Sequence, residues 1–419
     1  MDNLLVSESV LPNGMMLVEM PVSGRLATAI AVVFAAGSRH ERVSEVGVAH
    51  LLEHLAFKGT ERYPTAAALN RAAESLGLDL AGISCVDYVE FSTLVRAESA
   101  MAAAELLTDV TATPRLAAGD LEGERAVILQ EIADDNDDPG SRAYDLLIGA
   151  LFAGHRLAKD VAGEPADVRA LTHDTVLAFR DRQWSPVCGL VAIAGNLDHI
   201  DRRQLIDLVT RIPDRPAPAP PLPPPLFAAR TALDERDSNA VHLRLAYHLP
   251  GVEFTDRRQR AHAEVFSALL GGPMGSRLTD ELREQRSLCY WVSADVSDYD
   301  GQVFLFVSCS VSPPDLEEAY ELIGSIIADL RAHGPSEEEA NRFRAYASGS
   351  AALSFESVSH RLDHAIELIM EYGDHAIDPI LLLRGIESVT RSGLAELAAD
   401  IDPSPCVGCA GPAITSVFQ

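Results

Sequence analysis

The sequence of 419 residues predicts an α+β protein with two homologous domains, each an antiparallel-rich sheet covered by helices. Three observations support this fold class. The order of predicted elements in the first half of the chain recurs in the second. A segment at 213–225 that contains eight of the 24 prolines separates the two halves. With 47% hydrophobic and 23% charged residues, the composition is that of a globular chain long enough for two or three domains.

The proline-rich segment marks the domain boundary, because proline is excluded from helix and sheet interiors and favours an extended spacer. We therefore predict a first domain at 1–212, a linker at 213–230 and a second domain at 231–419. Such a stretch could also be the ligand of a proline-reading module, but its position in the middle of the chain favours a linker.

In the first half, β-branched and apolar runs predict strands, and apolar residues at helical spacing predict helices. The order is strand, helix, helix, strand and helix, at 27–35, 46–57, 65–76, 89–95 and 98–110. A long charged helix at 121–135 and a further helix follow, and the half closes with a strand at 185–195.

The second half repeats this order with strands and helices at 241–249, 258–270, 276–285, 302–309 and 314–330. Its long charged helix is predicted at 336–350 and its closing strand at 404–411. The repetition predicts two copies of one α+β unit of about 200 residues each.

The net charge of −28 comes from 62 acidic and 34 basic residues. Because an acidic surface repels phosphate backbones and attracts basic peptides, we expect no nucleic-acid partner. The N-terminus has no signal-peptide pattern, and the chain has no uncharged apolar run of about 18 residues, so we expect a cytoplasmic protein without a membrane partner.

The six cysteines are scattered through apolar, strand-like segments, which predicts reduced and buried thiols rather than a disulfide framework. Cys406 and Cys409 form a CxxC pair without a second pair near it. We interpret this pair as packing residues rather than as a zinc or redox site.

Metal-binding chemistry is predicted in the first half, where His50, Glu53 and His54 form an H-x-x-E-H sequence within a predicted helix. Positions i and i+4 share a helix face, so the two imidazoles can bind one ion. Glu53 lies at the edge of that face, where its carboxylate can reach a water on the ion and act as general base. Two imidazoles and a carboxylate are a ligand set typical of catalytic zinc.

A third protein ligand is needed, and the helix at 121–135 offers Glu124 and Glu131 on a stripe that would otherwise be apolar. A carboxylate on a buried stripe needs a cation or hydrogen-bond donors. The two glutamates are two turns apart, about 10 Å, so both cannot bind one ion. We expect one to be a ligand and the other to orient a histidine ring.

These residues resemble the pitrilysin/insulinase-type metallopeptidases, whose signature is similar to HLLEHLAFKGT at 50–60. The resemblance extends over nearly the whole chain. It also includes LPNG at 11–14, GSRHE at 37–41, VAIAGN at 191–196 and GSRLTDELREQRSLCYWV at 275–292. The resemblance implies that His50, His54 and Glu131 bind zinc, that Glu53 is the general base and that Glu124 orients a ligand.

The same resemblance implies a role for Arg283 and Tyr290, which match an arginine and a tyrosine seven residues apart in active members. Both side chains can donate hydrogen bonds to a scissile carbonyl and stabilise the oxyanion. The second half has no zinc motif, since Val265 and Phe266 follow His262. We therefore expect one zinc ion per chain and a structural role for His262.

A further implication concerns an edge strand that pairs with substrate backbone in the family. Here the corresponding segment contains Ala81, Gly82, Ile83 and Ser84, with alanine and glycine where asparagine and alanine are usual. We expect backbone pairing to be kept, because an edge strand binds through its main chain. The missing amide side chain affects substrate preference or orientation.

The resulting hypothesis is a zinc endopeptidase that cleaves oligopeptides, or leader or targeting segments of precursors, with Glu53 activating the attacking water. Family members of this size pair, so the two domains would form half of a closed chamber, in a homodimer or in a heterodimer with a related subunit. The alternative is a non-catalytic structural or heteromeric partner subunit of a peptidase-like complex.

Overall fold

The computed structural model describes residues 6–418, and its contacts divide the chain into two compact units. Of the described residues, the first unit contains 6–132, 160–222 and 354–378. The second contains 133–159, 223–353 and 379–418. Residues 213–230 form neither helix nor strand.

The sheet of the first unit has six strands in the order β1-β2-β6-β3-β5-β4. Only the pair β2 and β6 is parallel, and the other pairs are antiparallel. The strands are β1 Ser7–Val10, β2 Met16–Pro21, β3 Ala27–Phe34, β4 Ala81–Ser84, β5 Val89–Arg96 and β6 Gly189–Gly195. The LPNG segment forms the turn between β1 and β2, where Leu11 N donates to Met15 O.

The sheet of the second unit has five strands in the order β7-β11-β8-β10-β9. Again one pair, β7 and β11, is parallel and the others are antiparallel. The strands are β7 Thr231–Glu235, β8 Val241–His248, β9 Cys289–Tyr299, β10 Gln302–Val311 and β11 Cys406–Gly411. This order matches the first sheet without β1, so the predicted α+β fold of two homologous units is confirmed.

The predicted helices are present in the predicted order, with boundaries that differ by a few residues, and the structure has further helices, such as α6 and α8, that were not predicted. Those of the first half are α1 Val48–Ala56, α2 Ala66–Ser75, α3 Ala100–Ala112, α4 Leu121–Asp137, α5 Pro139–Leu151, α6 Pro165–Ala170, α7 His173–Gln183 and α8 Arg202–Val209. Those of the second half are α9 Arg257–Leu270, α10 Leu316–His333, α11 Glu337–Ser354, α12 Val358–Tyr372, α13 Pro379–Glu387 and α14 Arg391–Asp400.

The helix predicted at 276–285 differs in kind, because Thr279–Gln285 is π-helical. Gln285 Nε2 donates to the carboxylate of Asp280, five residues earlier, at 2.9 Å. The strand predicted at 185–195 begins at Gly189, after a short 3₁₀ turn that contains Pro186.

Strand β3 is buried on both faces, because helices cover both sides of its sheet. Ile30, Val32 and Phe34 lie in a core with residues of α1 and α3. The alternate residues, such as Ala31, lie in a second core with α12 residues such as Leu362. A strand buried on both faces is apolar at every position, which explains the continuous apolar run in the sequence.

Two helices are exchanged between the halves of the chain. Helix α12 follows the second sheet in sequence but packs on the first, against β3 and β6. Helix α5 follows the first sheet's helices in sequence but packs on the second, against β7, β8 and β11. Each unit therefore contains one helix that the other half of the sequence supplies.

No helix within residues 6–418 combines the length and apolar composition needed to cross a membrane. All six cysteines are free thiols. Cys406 and Cys409 are buried in β11, and burial raises the pKa of Cys409 to about 12, as in a packed thiol.

Gly408 tests the packing of α5 on the second sheet. A Cβ at this position would lie 2.3 Å from the backbone oxygen of Ala143, so Gly408→Ala must displace α5. We expect a loss of about 1–3 kcal/mol in the free energy of unfolding in urea. Gly349→Ala in α11 is the control, because nothing lies within 4 Å of its added Cβ. It should be stabilising by about 0.5–1 kcal/mol, and equal destabilisation by both changes would contradict this packing.

Candidate metal centre

Helix α1 carries the H-x-x-E-H residues and is fixed at its start by a buried carboxylate. Gly47 N and Ala49 N donate to the two oxygens of Glu41 at 3.0 and 2.9 Å. Gly47 has φ +86°, and a Cβ there would lie 2.4 Å from Ala162 O, so this position requires glycine. These contacts fix the residue at which α1 begins and the position of its first turn.

Helix α4 carries the two candidate glutamates on the side that faces α1. Leu121 and Ile128 are buried beneath them in the core of the first unit. Arg125, also buried, donates to the backbone oxygens of Val168 and Leu171, the latter at 2.9 Å. These contacts fix the rotation of α4 about its axis, which directs its carboxylates.

The structure brings His50, His54 and Glu131 together. Their ligand atoms all lie within 4.8 Å of one another, and within the described part of the chain they are the one group of three arranged for a metal ion. Oε2 of Glu131 lies 3.3 Å from Nε2 of His50 and 3.8 Å from Nε2 of His54. The Glu131 side chain is 45% exposed, so this cluster is open to solvent on one side.

Glu124 contacts the opposite side of the His54 ring. Its Oε2 lies 3.3 Å from Nδ1 of His54, and its Oε1 pairs with the ammonium group of Lys58. A carboxylate accepts hydrogen bonds, so Nδ1 donates and Nε2 keeps its lone pair for a metal. The two glutamates therefore occupy different positions. Glu131 lies beside the Nε2 atoms of both histidines, whereas Glu124 contacts Nδ1 of His54 on the opposite side of its ring.

Glu53 is 7% exposed, and its carboxylate lies against strand β4. Ser84 Oγ donates to its Oε2 at 3.0 Å, and Nδ1 of His50 lies 3.7 Å from the same oxygen. A Cβ on Gly82 would lie 2.3 Å from its Oε1. Glycine at position 82 lets the carboxylate approach the strand closely.

Strand β4 is an edge strand, as the resemblance implies. It is last in the sheet order and, among strands at 6–418, pairs only with β5. Gly82 and Ser84 face Glu53, whereas Ala81 and Ile83 are exposed on the alternate positions. The outer edge of β4 offers main-chain groups beside the carboxylate of Glu53.

The donor set fits zinc. Ligand atoms about 2.0–2.2 Å from a tetrahedral zinc ion lie about 3.3 Å from one another. The observed 3.3 and 3.8 Å from Glu131 Oε2 to the two imidazole nitrogens are close to this spacing. Two imidazoles and one carboxylate also leave a fourth position, as in catalytic zinc sites.

Arg283 and Tyr290 lie in the second unit and contact each other. The guanidinium carbon of Arg283 is 5.2 Å from the centre of the Tyr290 ring. Arg283 lies on the π-helical segment and Tyr290 near the start of β9, which has a bulge opposite Ser310. Tyr290 is 82% exposed, whereas the guanidinium of Arg283 also pairs with the carboxylate of Glu284 at 3.3 Å.

Three histidines outside the cluster, His262, His360 and His364, are packed against other residues. His262 is buried, its Nδ1 donates to Arg258 O at 2.6 Å, and its Nε2 faces Gly393. His360 and His364 pack around the ring of Phe355, at 5.2 and 5.1 Å.

Two residues of the site were missed by reasoning from the sequence. Glu41 caps α1 from outside the helix, and Lys58 pairs with Glu124. Both lie within segments that the resemblance includes, GSRHE and FKGT, but spacing alone gives neither residue a role. Neither side chain contacts a partner at the fixed spacing of a helix or strand. Their roles therefore could not be predicted from the pattern of the sequence.

Two family models match this chain. The model described as insulinase, peptidase family M16, matches residues 23–164, and the model described as the peptidase M16 inactive domain matches residues 170–347. Together they cover most of the sequence, and the chain belongs to this pitrilysin/insulinase-type peptidase family. The histidine and glutamate cluster falls within the first match, and Arg283 and Tyr290 fall within the second.

Similar proteins carry names of the same class. A protein of Mycobacterium tuberculosis named as an uncharacterized zinc protease is 29% identical, over 91% of this chain and 87% of its own length. A similarly named protein of Streptomyces coelicolor is 28% identical, over 97% of this chain and 90% of its own length. A third, from Bacillus subtilis, is 25% identical, over 85% of this chain and 86% of its own length.

Solved structures share the fold. A structure from Pseudomonas fluorescens, described as a peptidase M16 inactive domain, has a TM-score of 0.88 at 20% identity, covering 98% of each chain. A protease from Helicobacter pylori has a TM-score of 0.86 at 18% identity, covering 97% of this chain and 99% of its own.

The two glutamates of α4 give a test of the metal centre. Glu131→Gln should abolish stoichiometric zinc binding, because it removes one of three protein ligands. Glu124→Gln should keep one zinc per chain with affinity about 10–100-fold weaker, because it removes only a partner of His54. Metal analysis and competition with a fluorescent chelator measure both effects. Equal losses in the two variants would contradict the division of roles.

Proposed function

We propose that this protein is a zinc-dependent endopeptidase that hydrolyses oligopeptides or unfolded leader and targeting segments. The observation that carries the proposal is the convergence of His50, His54 and Glu131 beside the buried carboxylate of Glu53. Membership of a peptidase family and relatives named zinc proteases support it.

His50, His54 and Glu131 would hold one zinc ion per chain. Bound there, zinc supplies the Lewis acidity that activates water and polarises a peptide carbonyl. Glu124 keeps the ring of His54 oriented from behind.

Glu53 is the general base in this proposal. Its carboxylate is held by Ser84 within 3.0 Å and lies next to His50, so it is oriented before substrate binds. It accepts a proton from the attacking water and then donates that proton to the leaving amine. The low exposure of Glu53 limits its exchange with bulk solvent while it holds the proton.

The outer edge of β4 would bind the substrate main chain as an added strand. Ala81 and Ile83 present small and apolar side chains there, and neither offers the amide group that is usual in the family. Peptide recognition on this strand therefore depends on main-chain hydrogen bonds, which are largely independent of substrate sequence.

Arg283 and Tyr290 would donate hydrogen bonds to the scissile carbonyl and neighbouring peptide groups. We propose that they serve a zinc site of a paired chain, in a homodimer or with a related subunit. Pairing would enclose the substrate in a chamber, which admits peptides and unfolded segments rather than folded proteins. The net charge of −28 favours basic peptides among them.

Replacement of the general base is the direct test of this activity. Glu53→Gln should lower kcat for a quenched peptide library about 10²–10⁴-fold, because the amide cannot accept the proton. Zinc content should stay at one per chain, because Glu53 is not a ligand. Glu61→Gln, an exposed carboxylate just beyond the FKGT segment, is the matched control and should leave kcat unchanged. Wild-type protein that binds zinc but cleaves nothing would favour the non-catalytic or heteromeric subunit.

Sharing of Arg283 and Tyr290 between chains can be tested by mixing two inactive variants. Glu53→Gln chains and Tyr290→Phe chains are each expected to be weak as homodimers. If the pair acts on the partner's site, one of the two sites in each mixed dimer regains both groups. Random pairing makes about half of the dimers mixed, so activity should recover toward about a quarter of wild type. Absence of recovery, with subunit exchange shown by mass spectrometry, would contradict sharing.

A further inference from the structure

Lys58 lies directly after α1 and contacts a residue of the metal centre without contacting the cluster itself. Its ammonium group pairs with Oε1 of Glu124, and the other oxygen of Glu124 lies 3.3 Å from Nδ1 of His54. The Glu124 side chain is 9% exposed and that of Lys58 is 34% exposed. A carboxylate so deeply buried needs a compensating charge, and Lys58 is the cation that pairs with it.

This contact also joins the two helices that carry the ligands. Lys58 is held at the end of α1, where its backbone N donates to Leu55 O at 3.1 Å. Glu124 lies in the first turn of α4. The ion pair therefore fixes α4 to α1 on the side behind His54, away from the open side at Glu131.

The basic residues of the chain give an independent reason to single out Lys58. Of the 34 basic residues, only Lys58 and Lys159 are lysines, and all others are arginines. A lysine at this site, in a chain that uses arginine almost everywhere, indicates that the position favours an ammonium group. A guanidinium group tends to bind both oxygens of a carboxylate, whereas an ammonium group is a point charge that can bind one.

We propose that Lys58 is a positioning residue of the metal centre. By binding one oxygen of Glu124, it leaves the other for Nδ1 of His54, so that Nε2 of His54 faces His50 and Glu131. Arginine at this position would engage both oxygens and remove the partner of His54. The inference rests on the proposed function only in taking the cluster to be a zinc site.

The test measures the affinity of zinc alone for the full-length protein by chelator competition. Lys58→Met should weaken zinc binding about 10–100-fold, the usual effect of losing a partner that orients a ligand. Lys58→Arg should also weaken it. Lys159→Met, the same change at the other lysine, which is exposed, is the control and should bind zinc as the wild type does.

Two further measurements distinguish a role of Lys58 in orienting His54 from a general loss of folded structure. In the Glu124→Gln background, Lys58→Met should cause no additional loss of affinity, because Lys58 acts through Glu124. In the cobalt-substituted protein, Lys58→Met should shift the visible absorption bands that report ligand arrangement. The urea midpoint of the metal-free protein shows whether the fold is intact.

Wild-type affinity in Lys58→Met, or effects of Lys58→Met and Glu124→Gln that simply add, would overturn the inference. Failure of the proposed function would give a different result. The wild type itself would then fail to bind one zinc per chain or to cleave peptides.

Discussion

Burial of charge between helices is the constraint on which the metal centre depends. Glu53 and Glu124 are each 7% exposed, and an ionised carboxylate costs several kcal/mol to bury without partners. Each has its own partners, Ser84 and His50 for the first and Lys58 and His54 for the second. These pairings tie α1 to β4 on one side and to α4 on the other. The contacts that compensate the burial of these carboxylates therefore also orient the rings of His50 and His54.

The sheet supplies the rigid support that such contacts need. Because α12 covers the face of β3 opposite to α1, the central strands are packed from both sides and cannot shift to relieve strain at the site. The second unit has the same strand order but carries Val265 and Phe266 in α9, both buried in its core. The same strand order therefore occurs with buried carboxylates in the first unit and with apolar residues at the matching helix of the second.

The spacing of residues in the sequence predicted the individual strands and helices, and which residues share a face of one helix. The apolar run at 27–35 and the H-x-x-E-H spacing predicted β3 and the shared face of α1, because strand and helix periods are fixed. The exchange of α5 and α12 was not predictable from these patterns, since an amphipathic helix does not specify which sheet it covers. The choice of Glu131 over Glu124 as ligand came from the family resemblance, because spacing alone leaves both on one stripe.

Gly82 lies where strand β4 meets the carboxylate of Glu53. Residues facing inward from this strand hold that carboxylate, while its outer edge is paired with no other strand among residues 6–418. A side chain at position 82 would push the carboxylate away from the strand, since its Cβ would lie 2.3 Å from Oε1. Glycine at this position therefore allows Glu53 to approach β4 this closely. If a peptide pairs with the outer edge of β4, as proposed above, a displacement of the strand reaches the carboxylate of Glu53 through its hydrogen bond with Ser84.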